Sequence, residues 1–191
     1  MVFLCLPDQA AIEAVSLIEN ENTRVIDCST AHRVNPDWAY GFPELSGLHR
    51  KLIAEAKRVA NPGCHATGFI TSVYPLVAMG VIPADCPLTC FSLTGYSGGG
   101  KKMITQYEEE KGGDLYAPRV YGLSQNHKHL PEMKIRCGLT YSPVFCPVVD
   151  DYYKGMATTV LLHTALTGRG RGAQAVWEEL SNYYRDQPLI Y

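Results

Sequence analysis

A tight turn followed by a long apolar segment is the feature that most restricts how this chain can fold. The turn is Asn61-Pro62-Gly63, and the apolar segment covers residues 69–79. Proline fixes its own φ angle and glycine tolerates backbone angles that other residues avoid, so the turn separates two elements. Few helix-breaking residues precede Pro75, which predicts a helix that begins at or just after Cys64 and ends near Gly80.

Cys64 is therefore predicted to lie at the N-terminus of a helix. Unpaired backbone N–H groups and the positive end of the helix dipole favour an anion at that position. A thiol placed there shifts toward the thiolate, which is the nucleophilic form. The alternative is a buried cysteine that fills a small gap in a core. The turn and the helix start favour the reactive interpretation.

The composition limits the class of protein. The 191 residues are 46% hydrophobic and 19% charged, which is typical of a globular chain with one sizeable core or slightly more. A net charge of -2 provides no basic surface for nucleic acid, and no apolar run is long enough to span a membrane. The seven cysteines are scattered, which indicates reduced thiols in a cytosolic protein rather than a disulfide framework.

The N-terminal residues have the pattern of a strand–helix–strand unit. Residues 2–6 form a continuous apolar run that predicts a buried parallel strand, and residues 24–27 predict a second one. Between them, residues 9–18 have apolar side chains at helical spacing, and Asp8 is placed to cap that helix. Such a unit belongs to an α/β fold. No motif of the form G-x-G-x-x-G or G-x-x-G-x-x-G occurs before Cys64.

Residues 29–60 are predicted to form a connector, because glycine, proline and small polar residues interrupt them. A short helix is predicted within the connector at residues 49–59. His32 and Arg33 are the notable charged residues of this stretch. Solvated loop residues and a substrate- or phosphate-binding role for Arg33 are equally open interpretations.

The rest of the chain predicts an α+β arrangement. Residues 88–94 and 156–163 have the β-branched, alternating character of strands. Pro143 and Pro147 interrupt residues 139–149, which predicts an edge or bulged strand. The glycine-rich stretch 95–102 can present N–H groups to phosphate, although a flexible loop is the more common outcome. Other elements are predicted as helices at 103–111 and 173–185, a possible strand at 119–121 and a turn at 167–172.

Two histidines and a carboxylate lie close together in His127-Lys128-His129-Leu130-Pro131-Glu132. Three interpretations are open: a metal-binding pair, an exposed loop, or a catalytic base at His127 with His129 and Glu132 as its supports. No aspartate or cysteine lies beside them at ligand spacing, so metal binding is the weakest interpretation and no metal is predicted. Pro131 and Glu132 suit the first turn of a helix.

Four ordered stretches of the sequence also resemble one enzyme family. Ala60-Asn61-Pro62-Gly63-Cys64 is similar to the active-site segment of the N-acetyl-gamma-glutamyl-phosphate reductase family, relatives of aspartate-semialdehyde dehydrogenase that act in arginine biosynthesis. Cys64-His65-Ala66-Thr67 and Tyr153-Lys154-Gly155-Met156 resemble the shorter variant of the family. The other matching stretches are residues 25–33, 40–45 and 127–132.

The resemblance implies a fold and an organisation. Residues 1–63 are expected to be a partial Rossmann-like NAD(P)-binding domain with a connector. Residues 64–191 are expected to be a catalytic and dimerisation domain like that of glyceraldehyde-3-phosphate dehydrogenase, with a mixed sheet. The family has an earlier unit with a glycine-rich phosphate loop and a further cofactor-facing segment, so the chain is expected to be truncated at both ends. By itself it is expected to be inactive and to bind NADPH weakly.

The resemblance also implies a function. It is the NADPH-dependent reduction of N-acetyl-gamma-glutamyl phosphate to N-acetylglutamate 5-semialdehyde through a cysteine thioester, by a cytoplasmic homo-oligomer, either a dimer or a tetramer. NADP would be the cofactor and a small acyl phosphate the substrate, with no nucleic-acid or membrane partner. The implied catalytic residues are Cys64, His127 with His129 as its rival, and Glu132. The implied binding residues are Arg33, Asn61 and Gly63 for the substrate and Pro7, Ser29, Ser97 and Gly98 for the cofactor.

Three alternatives remain open at this point. One is a related reductase of another acyl phosphate, like aspartate-semialdehyde dehydrogenase. Another is a cysteine hydrolase that uses Cys64 and His127 and needs no cofactor. The third is a dimerising domain without enzymatic activity, which would leave Cys64 inert to alkylation.

Overall fold

The computed structural model describes residues 1–168 and 172–191, and its N-terminal part is built around a parallel sheet. The elements of this part are β1 (Val2–Leu4), α1 (Asp8–Ser16), β2 (Val25–Asp27), β3 (Ala39–Tyr40), α2 (Gly47–Glu55) and β4 (Arg58–Ala60). The strands lie in the order β1-β2-β4-β3, and all of them run parallel. Parallel strands joined through helices define an α/β arrangement, so the predicted class of this part is confirmed.

The prediction of a connector over residues 29–60 was wrong, because this stretch contributes β3, α2 and β4. Strands of two or three residues are too short to show an alternation of apolar and polar side chains. The helix predicted at 49–59 instead ends at Glu55. The Arg24 side chain donates hydrogen bonds of 2.9–3.0 Å to three carbonyl oxygens at that end. A cation at the C-terminus of a helix satisfies its unpaired carbonyls, and the chain then turns into β4.

Asp8 does not cap α1 as predicted, because Pro7 occupies the N-cap position and Asp8 is the first helical residue. The Asp8 carboxylate accepts a hydrogen bond of 2.8 Å from the Thr30 backbone N–H and another from the Thr30 hydroxyl. These hydrogen bonds lower the pKa of Asp8. The carboxylate therefore ties the loop after β2 to the start of α1.

The second part of the chain is built around a mixed sheet. Its elements are α3 (Cys64–Ala78), β5 (Thr89–Gly95), α4 (Gly100–Glu108), β6 (Arg119–Val120), α5 (Leu130–Arg136), β7 (Val144–Asp150), β8 (Met156–Leu161) and α6 (Ala173–Tyr183). The strand order is β6-β7-β5-β8, in which β5 and β7 are parallel and the other pairs antiparallel. The predicted mixed sheet is therefore confirmed. The predicted turn at 167–172 lies partly outside the described residues.

The prediction that β7 is an edge strand was wrong, because it lies between β6 and β5. Pro143 precedes the strand. Pro147 is next to the end of β6, where its carbonyl accepts a hydrogen bond of 3.1 Å from the Tyr121 N–H. A proline disturbs a sheet only where the N–H that it lacks would donate to a neighbouring strand. Strand β6 has only two residues, which pair with Val148 and Val149, so it ends before it reaches Pro147. The short partner strand therefore tolerates the proline.

Helix α3 is the central packing element of the second part. Its fully buried side chains include Ala66, Phe69, Ile70 and Val73, which belong to one core cluster with residues of β5, β7 and α5. Burial of one Ile- or Phe-sized side chain contributes about 1.5–3 kcal/mol, so several of them fix the helix firmly. The N-terminus of α3, which carries Cys64, is thereby held beside the mixed sheet. In the part of the chain that the structure describes, no helix is both long and apolar enough to cross a membrane.

Candidate active site

Cys64 is the first residue of α3, with Gly63 at the N-cap in an extended conformation. Its side chain is exposed and borders a cavity of about 360 Å³. The same cavity is lined by Arg33, His127, His129 and Gly98, all of which were candidate residues in the sequence. The predicted placement of a thiol at a helix N-terminus is therefore present in the structure. The first N–H groups of α3 and the dipole of a 15-residue helix act on this thiol.

Gly63 lies at a point where no side chain fits. A Cβ atom at this position would lie 2.5 Å from His129 Nε2 and 2.8 Å from Glu132 Oε2. Its backbone N–H donates a hydrogen bond of 2.8 Å to Glu132 Oε1. The same oxygen accepts a 2.7 Å hydrogen bond from the Tyr40 hydroxyl. Glu132 therefore holds the turn before Cys64 against both β3 and α5.

This position of Glu132 corrects one sequence prediction. Glu132 was predicted to support a catalytic base at His127. In the described residues, the hydrogen-bond partners of its side chain are Gly63 and Tyr40, and Oε2 has none. The carboxylate thus positions the turn before the nucleophile rather than the histidine. The prediction failed because the residues that Glu132 contacts are far from it in sequence.

Arg33 is a buried cation at the wall of the cavity. Its Nε donates a 2.9 Å hydrogen bond to the Asn61 carbonyl, and its Nη2 donates a 3.0 Å hydrogen bond to the Cys28 carbonyl. Its Nη1 lies 3.5 Å from Glu132 Oε2 and makes no hydrogen bond within the described residues. Because only 8% of Arg33 is exposed, the alternative of a solvated loop residue is wrong. A buried cation with a free donor is suited to bind an anionic group.

His32 is also buried, and it has a structural environment. Its ring stacks on Trp38 with a centroid distance of 3.9 Å, and its Nδ1 lies 2.6 Å from Asp27 Oδ2. The solvated alternative is therefore wrong for His32 as well. Its contacts belong to the parallel sheet, and it does not line the cavity beside Cys64.

His127 and His129 both face the cavity, with ring centroids 4.8 Å apart. The His129 backbone N–H donates a 3.2 Å hydrogen bond to His127 Nδ1, which leaves His127 Nε2 as the ring atom that exchanges protons with the cavity. His129 is buried, and burial together with the neighbouring His127 lowers its pKa to about 2. The pKa of the half-buried His127 is also lowered, mainly by burial and to a smaller extent by the positive charge of Lys128. His127 is therefore better able to change its protonation state near neutral pH.

The described residues contain no group of three or more histidine, cysteine, aspartate or glutamate side chains arranged to hold a metal ion. His127 and His129 instead contact aromatic neighbours, with the His127 ring inclined at 67° to that of Phe145 and a centroid distance of 5.1 Å. The two histidines thus lie in a partly apolar wall, which explains the lowering of their pKa values by burial.

The family model described as the semialdehyde dehydrogenase dimerisation domain matches residues 64–191, which is more than half of the chain. The chain belongs to the semialdehyde dehydrogenase family. The model described as the semialdehyde dehydrogenase NAD binding domain matches residues 1–55.

Curated relatives of this chain include proteins named N-acetyl-gamma-glutamyl-phosphate reductase. The chain is 48% identical over 184 residues to the protein of that name from Chelativorans sp. (strain BNC1). The aligned region covers 96% of this chain and 59% of the relative. The chain is 45% identical over 193 residues to the protein of that name from Brucella ovis, which covers 100% of this chain and 62% of the relative. The resemblance seen in the sequence is confirmed. The chain spans about three fifths of the length of these relatives.

Solved structures share the fold of this chain. Aspartate semialdehyde dehydrogenase II from Vibrio cholerae superposes with a TM-score of 0.73 at 14% identity, over 95% of this chain and 60% of that one. Aspartate semialdehyde dehydrogenase with NADP from Candida albicans gives a TM-score of 0.65 at 15% identity, over 95% of this chain and 55% of that one. At identities this low, the similarity establishes the fold alone. The superpositions confirm the predicted fold class.

The four residues predicted to contact the cofactor fall at two places in the structure. Gly98 lines the cavity beside Cys64, and Ser97 precedes it. Pro7 and Ser29 follow β1 and β2, at the edge of a parallel sheet where nucleotides bind in open α/β folds. The Ser29 hydroxyl donates a 2.7 Å hydrogen bond to Asp27 Oδ2. The Asp8 carboxylate occupies the first turn of α1. Its negative charge therefore disfavours a pyrophosphate at that helix N-terminus.

A group of polar residues beside the cavity had no predicted role. His65, the residue after Cys64, is buried and hydrogen-bonded to Ser92 and to Tyr121. Ser92 in turn contacts Thr158 of β8. One signal in the sequence was available, because alternation along β5 places Ser92 on the same buried face as Cys90 and Thr94. A buried serine on an inward strand position needs a partner.

Proposed function

We propose that this chain contributes the catalytic centre of an NADPH-dependent reductase that converts N-acetyl-gamma-glutamyl phosphate to N-acetylglutamate 5-semialdehyde, a step of arginine biosynthesis. One observation carries the proposal: an exposed cysteine begins a long helix inside a cavity that also contains a buried arginine and two histidines. The choice of substrate rests on the names of relatives at 42–48% identity. Structures named aspartate semialdehyde dehydrogenase share only 8–15% identity, so that related substrate is not favoured.

In the first half of the proposed reaction, Cys64 is acylated. The thiol proton moves to His127, and the thiolate sulfur attacks the carbonyl carbon of the acyl phosphate. The electron pair of the carbonyl moves onto its oxygen, near the N-terminus of α3. When that pair returns, the carbon–oxygen bond to the phosphate breaks and the phosphate leaves with the proton from His127. Arg33 faces the anionic end of the substrate, and Gly63 adjoins Cys64 in the turn. Asn61 borders a neighbouring cavity.

In the second half, the thioester on Cys64 is reduced. NADPH supplies the hydride when it is bound. Reduction would leave an oxyanion that expels the Cys64 thiolate and releases the aldehyde. A proton that His127 takes up from solvent would then return Cys64 to the thiol. Gly98 and Ser97 fit beside Cys64, and Pro7 and Ser29 fit at the sheet edge, where they would border the cofactor. The chain's own task in this step is to hold the acyl group and exclude water.

A lengthened chain tests this proposal. These 191 residues would replace the matching part of the Chelativorans relative, and oxidation of NADPH would be followed by absorbance. We expect turnover with N-acetyl-gamma-glutamyl phosphate and little with aspartyl phosphate. The matched control is the same protein with Cys64→Ser. A folded protein that oxidises no NADPH, or that hydrolyses a simple thioester without NADPH, would contradict the proposal.

We expect His127→Asn to lower the acylation rate of Cys64 by roughly 10²-fold, as for loss of a general acid or base. Because its pKa lies below the ordinary 6.5, the neutral form of His127 persists to lower pH. The acid limb of the rate profile is therefore expected below pH 6.5, and the plateau above it. Single-turnover acylation measured against pH provides both results. If His129→Asn strongly lowered the acylation rate while His127→Asn left it nearly normal, His129 would be the acid/base residue instead of His127.

We also propose that the protein is a cytoplasmic homo-oligomer that pairs through the mixed sheet. The matching family model is described as a dimerisation domain. One face of the sheet packs on α3, and the other exposes Phe91, Val144 and Leu161 at 40%, 57% and 62%. In the described part of the chain all seven cysteines are free thiols, which suits a reducing compartment.

We expect Leu161→Lys to raise the dissociation constant of the oligomer by at least about tenfold, since it places a charge in an apolar interface. Sedimentation velocity over a concentration series measures the change. Leu48→Lys is the matched control, because Leu48 is similarly exposed on α2 and lies away from the mixed sheet. Equal dissociation constants for the two variants would exclude this face as the interface.

A further inference from the structure

A continuous series of hydrogen bonds runs from β8 to the cavity. Thr158 Oγ1 lies 3.0 Å from Ser92 Oγ on the buried face of the mixed sheet. Ser92 Oγ lies 2.7 Å from His65 Nδ1, and His65 Nε2 lies 2.8 Å from the Tyr121 hydroxyl. Tyr121 borders the cavity beside Cys64. Each member is thus held by the one before it, and the series ends at the cavity.

Two proton arrangements satisfy the three contacts, because each hydroxyl and each ring nitrogen of His65 can donate or accept. In one of them, Tyr121 donates to His65, His65 donates to Ser92 and Ser92 donates to Thr158. In the other, on which this inference rests, Thr158 donates to Ser92 and Ser92 donates to His65 Nδ1. His65 then carries its proton on Nε2 and donates it to the Tyr121 oxygen. The hydroxyl proton of Tyr121 remains free, and it points out of the series.

The surroundings keep this arrangement neutral. Burial, with a contribution from His127, lowers the pKa of His65 to about 4, so its ring keeps one proton at neutral pH. Burial, with a smaller contribution from Cys64, raises the pKa of Tyr121 to about 12. Tyr121 therefore remains a hydrogen-bond donor over the whole neutral range. Tyr121 and Cys64 line the same cavity.

We propose that Tyr121 is a catalytic residue whose hydroxyl donates a hydrogen bond to the carbonyl oxygen of the acyl group on Cys64, and that His65 and Ser92 position it. This inference rests on the proposed function. When the thiolate attacks, the carbonyl electron pair moves onto oxygen, and the Tyr121 hydroxyl stabilises that charge without giving up its proton. The hydrogen bond is strongest in the transition state, which is the condition for a rate effect.

The test compares two reactions of the same thiol in the 191-residue chain. Acetyl phosphate acylates Cys64 through an oxyanion, whereas iodoacetamide alkylates it without one. We expect Tyr121→Phe to slow acylation by about 10²-fold, as for loss of one oxyanion donor. Alkylation should remain within about twofold, because the aromatic ring is retained. Intact mass measurement, with hydroxylamine to release thioesters, follows both reactions.

Two further variants make the test specific. Tyr141→Phe is the matched control, because Tyr141 is 62% exposed and does not line the cavity. Ser92→Ala should slow acylation by a smaller factor than Tyr121→Phe, because it removes a positioning group. Equal acylation rates in wild type and Tyr121→Phe would overturn this inference alone. Equal losses in both reactions would also overturn it, by showing a structural role. If acetyl phosphate does not acylate wild-type Cys64, this inference fails, while NADPH oxidation by the lengthened chain decides the proposed function separately.

Discussion

Replacing Cys64 with serine should reduce acylation by acetyl phosphate by roughly 10⁴-fold or more, the size of effect seen when an enzyme loses its nucleophile. The reason is local. Cys64 is exposed, begins a 15-residue helix and borders a cavity with Arg33 and His127. A serine hydroxyl is not ionised by the same surroundings, because its pKa is far higher than that of a thiol. Circular dichroism would show that the variant keeps its fold.

The same argument predicts that Cys64 is the most reactive thiol of the chain. Burial raises the pKa of Cys90 to about 12 and also raises the pKa of Cys137. Burial and the nearby Cys5 raise the pKa of Cys28. Brief treatment with limiting iodoacetamide near neutral pH, followed by peptide mass spectrometry, should therefore label Cys64 first. Cys5→Ser is the matched control, since Cys5 is also exposed. Faster labelling of Cys5, Cys28 or Cys90 would exclude Cys64 as the activated thiol.

The turn and helix around Cys64 could be predicted from the sequence, because their signals are local. Proline and glycine fix the turn through their own backbone preferences, and a 15-residue helix is long enough to show its apolar character. The mixed sheet was predictable for the same reason, since β5 and β8 have six or seven residues each. The short strands β3 and β4 were missed because turn-forming residues flank them, Pro36 and Gly41 around β3 and Asn61-Pro62-Gly63 after β4.

The supports of the site could not be predicted, because they depend on contacts between residues distant in sequence. Glu132 binds Gly63 across 69 positions and Tyr40 across 92. His65 meets Tyr121 across 56 positions, although it directly follows the residue identified as the nucleophile. Residue types revealed which groups can do chemistry, whereas only the fold revealed which groups hold them in place.

Glu132 provides the largest expected effect on stability. Its carboxylate is 1% exposed, accepts hydrogen bonds from Gly63 and Tyr40, and lies 3.5 Å from the guanidinium of Arg33. Glu132→Ala would leave a buried cation without its counter-charge and two donors without an acceptor. Breaking a buried ion pair from one side costs about 3–5 kcal/mol, so we expect the free energy of unfolding to fall by about that amount.

Denaturant unfolding of Glu132→Ala and Glu132→Gln separates the two contributions. Glutamine keeps a carbonyl oxygen that can accept from Gly63 and Tyr40, so its loss of stability should be smaller and should report mainly the missing charge beside Arg33. Glu110→Ala is the matched control, because Glu110 is exposed at the end of α4. A change below about 1 kcal/mol for Glu132→Ala, as expected for a surface ion pair, would show that Glu132 does not fasten the turn before Cys64.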